Sequence, residues 1–113
     1  MRVALAALLI AFPMAVAQAA DFVMIGKQGT MQRGFIGCTD LEDLKKIATL
    51  VGQGDTVAAA RYATRKSPSC TPVPTGATGT VEHLSAWSSA SCIRPAGEPE
   101  CFWVPMNLVV EKK

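Results

Sequence analysis

Apolar side chains recur at three- and four-residue steps between Thr39 and Val51, a spacing that predicts an amphipathic helix. Thr39 and Glu42 have the spacing of a capping box, in which the hydroxyl accepts a backbone N–H and the carboxylate returns to the Thr39 amide. Gly52 can supply the left-handed residue that ends many helices. The predicted apolar face consists of Leu41, Leu44, Ile47, Ala48 and Val51.

A second helix is predicted from about Thr56 to Lys66, with Asp55 at its N-terminus and Ser67-Pro68 after its end. Its small side chains are Val57, Ala59, Ala60 and Ala63. Small side chains let two helices approach closely, so the two segments should form an αα-hairpin around the Gln53-Gly54 turn.

Short apolar runs separated by glycine and proline predict β-strands on both sides of this hairpin. The predicted strands are one or two within Asp21–Gly37, then Thr78–Leu84, Ala86–Arg94, Cys101–Val104 and Leu108–Val110. Pro72 and Pro74 exclude a helix or a central strand between Cys70 and Gly76. Several short strands with turns between them indicate a small barrel or sandwich.

The first 19 residues have the pattern of a cleavable secretory signal. Arg2 is the positive residue, Val3–Phe12 is apolar, and Ala17-Gln18-Ala19 has the small side chains that signal peptidase requires. The apolar run is shorter than the roughly 20 residues that span a bilayer, so a transmembrane helix is the weaker alternative. Cleavage is expected between positions 17 and 20, first after Ala19. Residues 20–113 would then form one periplasmic or secreted domain.

The residues after this signal carry 10 Lys and Arg, since Arg2 is removed from the 11 of the full chain, against 9 Asp and Glu. Such a balance gives no long-range field of either sign. The basic residues are scattered, and their largest clusters are pairs such as Lys45-Lys46, so nucleic acid is not an expected partner. No second apolar stretch is long enough to span a membrane.

All 4 cysteines lie after the signal, and an even number in a small exported chain is typical of disulfides. Cys38 and Cys70 bracket the helical hairpin, which should bring them close together. Cys92 and Cys101 flank the Pro95–Pro99 loop on consecutive strands. We therefore favour the pairs 38–70 and 92–101 over the other two connectivities. Zinc is the weaker alternative, because the spacing offers no C-x-x-C and no paired histidine.

No motif points to catalysis, a metal or a cofactor. His83 is the single histidine, and no serine lies in the G-x-S-x-G turn of a nucleophile, so a solvent-facing strand histidine is favoured over a general base. Asp40, Glu42 and Asp43 are explained by helix capping and the helix dipole. Phosphate-loop, dinucleotide and haem motifs are missing from the sequence. The prediction is therefore a protein that is not an enzyme.

Trp87, Trp103 and Glu98 form the candidate ligand surface. Large rigid aromatic side chains give contact area at a low entropy cost. For Trp103, packing under the helices is favoured over exposure, whereas for Trp87 both placements are open. Glu98 lies in the proline-glycine loop and is expected to be solvated.

The segment "CTDLEDLKKIATLVGQGDTVAAARY" from Cys38, followed by Cys70 and a tail containing "CFWVPMNLV", resembles small exported alphaproteobacterial proteins of uncharacterised function. The matching motifs are Gly54-Asp55, the bracketing cysteines and Trp103-Val104. The resemblance implies an α+β fold, with a short αα-hairpin (about residues 39–66) packed on a small SH3-like antiparallel β-barrel. It also implies the Cys38–Cys70 bridge, and it implies no activity, because fold does not fix function.

The function expected on these grounds is a non-enzymatic binding module for a cell-envelope component or a protein partner. One alternative is an accessory subunit of a larger periplasmic enzyme, docked through Phe102–Val110. Another is a secreted inhibitor of a lysozyme or protease, which would insert the rigid Pro95–Pro99 loop into a cleft.

Overall fold

The chain folds into two helices and seven strands in the computed structural model, which describes residues 22–112. The strands are β1 (Gln28–Met31), β2 (Phe35–Cys38), β3 (Cys70–Val73), β4 (Thr78–Ser85), β5 (Ala90–Pro95), β6 (Phe102–Pro105) and β7 (Val109–Glu111). The helices are α1 (Leu41–Gly52) and α2 (Thr56–Arg65), and a short 3-10 helix (Met106–Leu108) precedes β7. The predicted secretory signal lies outside the described residues.

The seven strands form one antiparallel sheet in the order β3-β2-β6-β5-β4-β1-β7. The edge strands β3 and β7 do not pair with each other within residues 22–112, so strand pairing leaves the sheet open. A bulge between Val81 and His83 interrupts the β4–β5 ladder, and bulges of this kind increase the local twist. The predicted α+β class with an antiparallel sheet is confirmed.

Edge strand β3 is poorly suited to pairing with another chain. Pro72 and Pro74 have no N–H, and the Cys70 N–H donates to the Lys66 carbonyl at 3.0 Å. The prediction that prolines exclude this stretch from a central position is therefore confirmed.

Strand β6 is flanked by β5 and β2, so part of the Phe102–Val110 segment is already paired on both sides.

Two clusters of buried side chains form the core, one against each face of the sheet. The first contains Val23, Met31, Val81, Ile93, Val104, Leu108 and Val109. The second lies between the sheet and the helices and contains Cys38, Leu44, Ile47, Ala59, Ala63, Cys70 and Ala90. Side chains alternate across a strand, which is why Val104 of β6 enters the first cluster while its neighbour Trp103 packs against the second.

The start and end of α1 differ from the prediction. Asp40 is the N-cap, and its Oδ1 accepts the Glu42 N–H at 2.9 Å. Thr39 cannot serve in the predicted capping box, because its own N–H donates to the Ser69 carbonyl at 2.9 Å and continues the β2–β3 ladder. Gly52 lies inside the helix, and the left-handed residue is Gly54, with φ of 82°.

The helical hairpin is confirmed, but its contacting faces are narrower than predicted. In α1, Leu44 and Ile47 are buried, while Ala48 and Val51 are exposed because the helix turns them away from the sheet. In α2, Asp55 caps the helix as expected, with Oδ1 accepting the Ala58 N–H at 3.1 Å. Its buried residues are Ala59 and Ala63, whereas Val57 and Ala60 face outward.

The apolar run Phe22–Ile25 is not a strand. The Lys27 N–H donates to the Met24 carbonyl at 3.1 Å, which turns the chain just before β1. Within this run Val23 is buried in the first core cluster, and the other three side chains are exposed.

Two disulfides join Cys38 to Cys70 and Cys92 to Cys101. This is the pairing favoured from the sequence. The first bridge links facing residues of β2 and β3 at the base of the helical hairpin. The second closes the loop between β5 and β6. Both are consistent with an oxidising, exported location.

Candidate ligand-binding site

Trp87 lies in the turn between β4 and β5 and is 98% exposed. The predicted strand over Ala86–Arg94 is wrong for its first four residues, because Ser89 N–H donates to the Ala86 carbonyl at 3.3 Å and closes a turn. The run from Ala86 to Ser89 contains no β-branched residue that would favour a strand. The turn places the indole at the tip of the β4–β5 hairpin.

The turn that carries Trp87 is fixed from both sides. The Ser85 hydroxyl accepts the Ser88 N–H at 3.2 Å, and the Ser89 carbonyl accepts the Met106 N–H at 2.8 Å. Ser89 has φ of 51°, a left-handed conformation that residues other than glycine adopt infrequently. These bonds fix the backbone of the turn, and so the point from which the Trp87 side chain projects.

A groove of about 370 Å³ lies between this turn and α1. We call it the Trp87 groove, and it is lined by Leu44, Lys45, Ala48, Thr49, Trp87, Ser88, Ser89 and Pro105. The lining therefore combines apolar residues, among them Ala48 and Pro105, with three hydroxyl-bearing residues and one lysine.

Lys45 supplies the charge of the Trp87 groove. Its Nζ lies 3.2 Å from Oε2 of Glu42, one turn earlier on α1, and both side chains are exposed. Exposed pairs of this kind contribute about 0–1 kcal/mol, so Lys45 can exchange this partner for a ligand. The Thr49 hydroxyl donates to the Lys45 carbonyl at 2.8 Å and keeps its oxygen lone pairs for accepting a further hydrogen bond.

Trp103 occupies a different position, at the centre of the sheet. It is the register partner of Cys38 on β2 and of Cys92 on β5. It packs against the second core cluster, between the sheet and the helices, as expected. The exposed ring of His83 stacks on it, with centroids 6.3 Å apart and an interplanar angle of 26°. His83 is thus a solvent-facing strand residue in contact with an aromatic ring.

Glu98 is exposed in the loop after β5, where its N–H donates to the Pro95 carbonyl at 3.1 Å. It lines a second groove of about 410 Å³. The other lining residues are Pro68, Thr71, Pro72, Val73, Pro74, Ala77, Pro95 and Phe102. Among the described residues, this set shares none with the Trp87 groove. The structure therefore does not bring Trp87, Trp103 and Glu98 together into one surface.

Sequence reasoning missed the α1 side of the Trp87 groove. The apolar periodicity predicts Ala48 on the buried face of the helix, and Lys45 and Thr49 carry no local signal of a binding role. Their proximity to Trp87 follows from the packing of α1 on the sheet, which no spacing along the chain encodes. The signal that the sequence did contain is the tryptophan itself, set among small polar residues.

Across residues 22–112, no group of three or more His, Cys, Asp or Glu side chains is arranged to hold a metal ion. Neither described helix combines the length and the apolar character needed to cross a bilayer. Comparison with protein-family models, with curated proteins and with solved structures finds no match to this chain.

Proposed function

We propose that this chain is an exported, non-enzymatic binding module, and that its ligand, a cell-envelope component or a protein partner, contacts the Trp87 groove. The observation that carries the proposal is the fully exposed indole on a fixed turn beside a groove. A ligand that lies on one face of the indole removes part of this apolar surface from water. The gain is about 25 cal/mol per Å² covered, and the entropy cost of association is subtracted from it.

Support for export comes from the signal pattern in the first 19 residues and from the two disulfides. We propose further that the sheet is a half-open barrel of the SH3-like type. The seven short antiparallel strands curl around the first core cluster in keeping with that proposal. We also propose that this chain belongs to the exported alphaproteobacterial proteins that its sequence resembles.

A non-enzymatic role is supported by the position of His83. Its ring stacks on Trp103, and it is not among the described residues that line the Trp87 groove. A general base acts on a proton within hydrogen-bond reach of a bound substrate. The histidine and the groove are therefore two separate features of the surface.

The test is retention of the full mature protein on envelope fractions of its source cells. Purified cell walls are sedimented with the protein, and periplasmic extract is passed over the immobilised protein. Wild type, Trp87→Ala and Phe22→Ala are compared, because Phe22 is an exposed aromatic residue outside the groove. We expect Trp87→Ala to lose retention at least tenfold, and Phe22→Ala to keep it.

Trp87 is 98% exposed, so Trp87→Ala should stay within about 0.5 kcal/mol of wild type in free energy of unfolding. Phe22 is 43% exposed, so Phe22→Ala should cost about 1 kcal/mol through lost packing. The proposed function is wrong if neither fraction retains the wild-type protein. It is also wrong if Trp87→Ala is retained as well as wild type.

The loop after β5 favours a second candidate function, inhibition of a lysozyme or protease. Residues 96–100 are all exposed, and the Cys92–Cys101 bridge closes the loop. Rigid loops lose little entropy when they enter a cleft. Slowing of such enzymes by wild type but not by Glu98→Ala would support this candidate, and no slowing across a panel of them would exclude it.

A further inference from the structure

We infer that the Trp87 groove binds a sugar ring with an anionic substituent, as found in an acidic glycan. This inference rests on the proposed function and adds the chemistry of the ligand. It combines three features of the groove: an exposed aromatic face, a set of hydroxyl groups and a single cation.

The aromatic face matches the apolar side of a sugar ring. The Trp87 indole is 98% exposed, so a sugar ring can cover one of its faces without displacing protein atoms. One side of a pyranose presents C–H groups, which pack favourably against the electron-rich face of an indole. Ser88 and Ser89 follow Trp87 in the same turn and also line the groove.

The polar groups of the groove match sugar hydroxyls. Thr49, Ser88 and Ser89 are the hydroxyl-bearing residues of the lining, and a hydroxyl both donates and accepts hydrogen bonds. The backbone of Ser89 has φ of 51°, a conformation that glycine would adopt without strain. A hydroxyl that contacts the ligand gives a reason for serine at this position.

Charge selects an acidic ligand over a neutral one. Lys45 is the one charged residue among the described residues that line the groove. Its partner Glu42 is exposed and lies outside the lining. A carboxylate on the ligand can replace Glu42 as the partner of Lys45, and ion pairs of this kind weaken as salt is added.

A glycan fits the groove better than an acidic peptide does. Peptides that bind by strand addition need a free sheet edge, and the Trp87 turn joins two interior strands, β4 and β5. A typical protein interface involves roughly 20–30 residues a side, whereas eight described residues line this groove. A small ring-shaped group is therefore the favoured occupant.

The experiment measures binding of three probes to the full mature protein by calorimetry. The probes are an oligogalacturonate, a neutral chito-oligosaccharide of equal length and a poly-glutamate peptide. We expect the oligogalacturonate to bind about threefold more tightly than the neutral sugar, the gain of one exposed ion pair. Trp87→Ala should weaken its binding tenfold or more. Lys45→Gln should weaken it about threefold, and added salt should do the same for wild type.

Lys46→Gln is the matched control, because it removes a neighbouring charge of α1 that is not in the described lining. It should change the affinity less than twofold. Equal affinity for acidic and neutral sugars, or sugar binding that does not depend on Trp87, would overturn the inference. Binding of poly-glutamate alone, lost in Trp87→Ala, would overturn the glycan ligand but keep the binding module. If envelope retention itself is absent, the proposed function is wrong.

Discussion

The phenol of Tyr62 donates a 2.7 Å hydrogen bond to Oδ1 of Asp43 and thereby joins α2 to α1. Asp43 is 9% exposed, so water has little access to replace this donor. The Lys66 ammonium lies 3.7 Å from the same oxygen and 5.6 Å from the centre of the Tyr62 ring. This group of three side chains links the first turn of α1 to the end of α2.

Tyr62→Phe should lower the free energy of unfolding, and by more than the control does, because it leaves the carboxylate of Asp43, which has poor access to water, short of a donor. Urea unfolding followed by circular dichroism measures the change. Thr64→Val is the control, since it removes an exposed hydroxyl from the same helix and should cost under about 0.5 kcal/mol. Equal losses in the two variants would contradict the role given to the Tyr62 bond.

The Tyr62–Asp43 hydrogen bond also predicts that the stability of the fold decreases at alkaline pH. The hydrogen bond to Asp43 raises the pKa of Tyr62 above its ordinary value of 10.0, and desolvation and the negative charge of Asp43 add to the effect. Folding therefore favours the protonated phenol. This contribution to stability is fully present below pH 10 and is lost as the pH rises through the raised pKa.

Tyr62 is the single tyrosine of the chain, so its ionisation can be followed by ultraviolet absorbance. The midpoint should lie above pH 10.0 in the native protein and fall toward that value in Asp43→Asn. A native midpoint at or below 10.0 would refute the assigned cause.

Two glycines provide a matched pair of opposite effects. A Cβ on Gly79 would lie 2.5 Å from Cγ2 of Ile93 and 2.7 Å from the Arg94 carbonyl oxygen, so Gly79→Ala should cost about 1–3 kcal/mol. Gly52 is the last residue of α1 and has open space around it. Gly52→Ala should therefore stabilise the protein, by less than the roughly 0.5–1 kcal/mol expected in the middle of a helix. Thermal unfolding compares the two, and a loss of stability in both would show that helix packing constrains Gly52.

The two disulfides should differ in accessibility and in their contribution to stability. Cys38 and Cys70 are 0% and 3% exposed, whereas Cys101 is half-buried, so limited reductant should open the 92–101 bridge first. In the chain-entropy model the 32-residue separation of the first bridge contributes about 3–4 kcal/mol, against about 2.5–3 kcal/mol for the 9-residue separation.

Alkylation of the released thiols, followed by mass spectrometry, gives the order of opening. Paired Cys→Ser variants give the stabilities, and the 38–70 pair should lose more. Simultaneous opening of both bridges would contradict the accessibility argument.

The Trp87 turn should show opposite effects on stability and on binding. Ser89→Gly relieves the left-handed conformation and should stabilise by about 1 kcal/mol. It also removes a hydroxyl from the groove, so it should weaken retention on envelope fractions. Ser88→Gly is the control. It also removes one hydroxyl-bearing residue from the groove, but it relieves no left-handed conformation and so should not stabilise the protein. Stabilisation by both variants would indicate that the turn itself is poorly ordered.

Local chemistry made much of the fold predictable. Asp55 caps α2 as its residue type suggests, the prolines place β3 at an edge, and the position of the hairpin indicates the Cys38–Cys70 pair. The errors arise where a tertiary contact decides between local alternatives. The Thr39 amide bonds to Ser69, which lies 30 positions away in the chain, and so Asp40 becomes the cap.

Only one residue of the candidate site could be predicted from the sequence. Trp87 could be identified from its side chain, but its neighbours Lys45 and Ala48 come from α1, and Pro105 comes from the end of β6. Amphipathic periodicity assigned Ala48 to the core because it treats a helix as buried along one whole face. The depth at which α1 packs on the sheet decides its exposure, and that depth depends on residues far along the chain.

Covering of Trp87 in the living cell tests the central claim most directly. Oxidative footprinting of tryptophan, read by mass spectrometry, compares the protein in its source cells with the purified protein, and the half-buried Trp103 is the internal standard. We predict that Trp87 reacts at least several-fold more slowly in the cell than in the purified protein, with Trp103 unchanged. Equal reactivity of Trp87 in both settings would contradict a binding role for the groove.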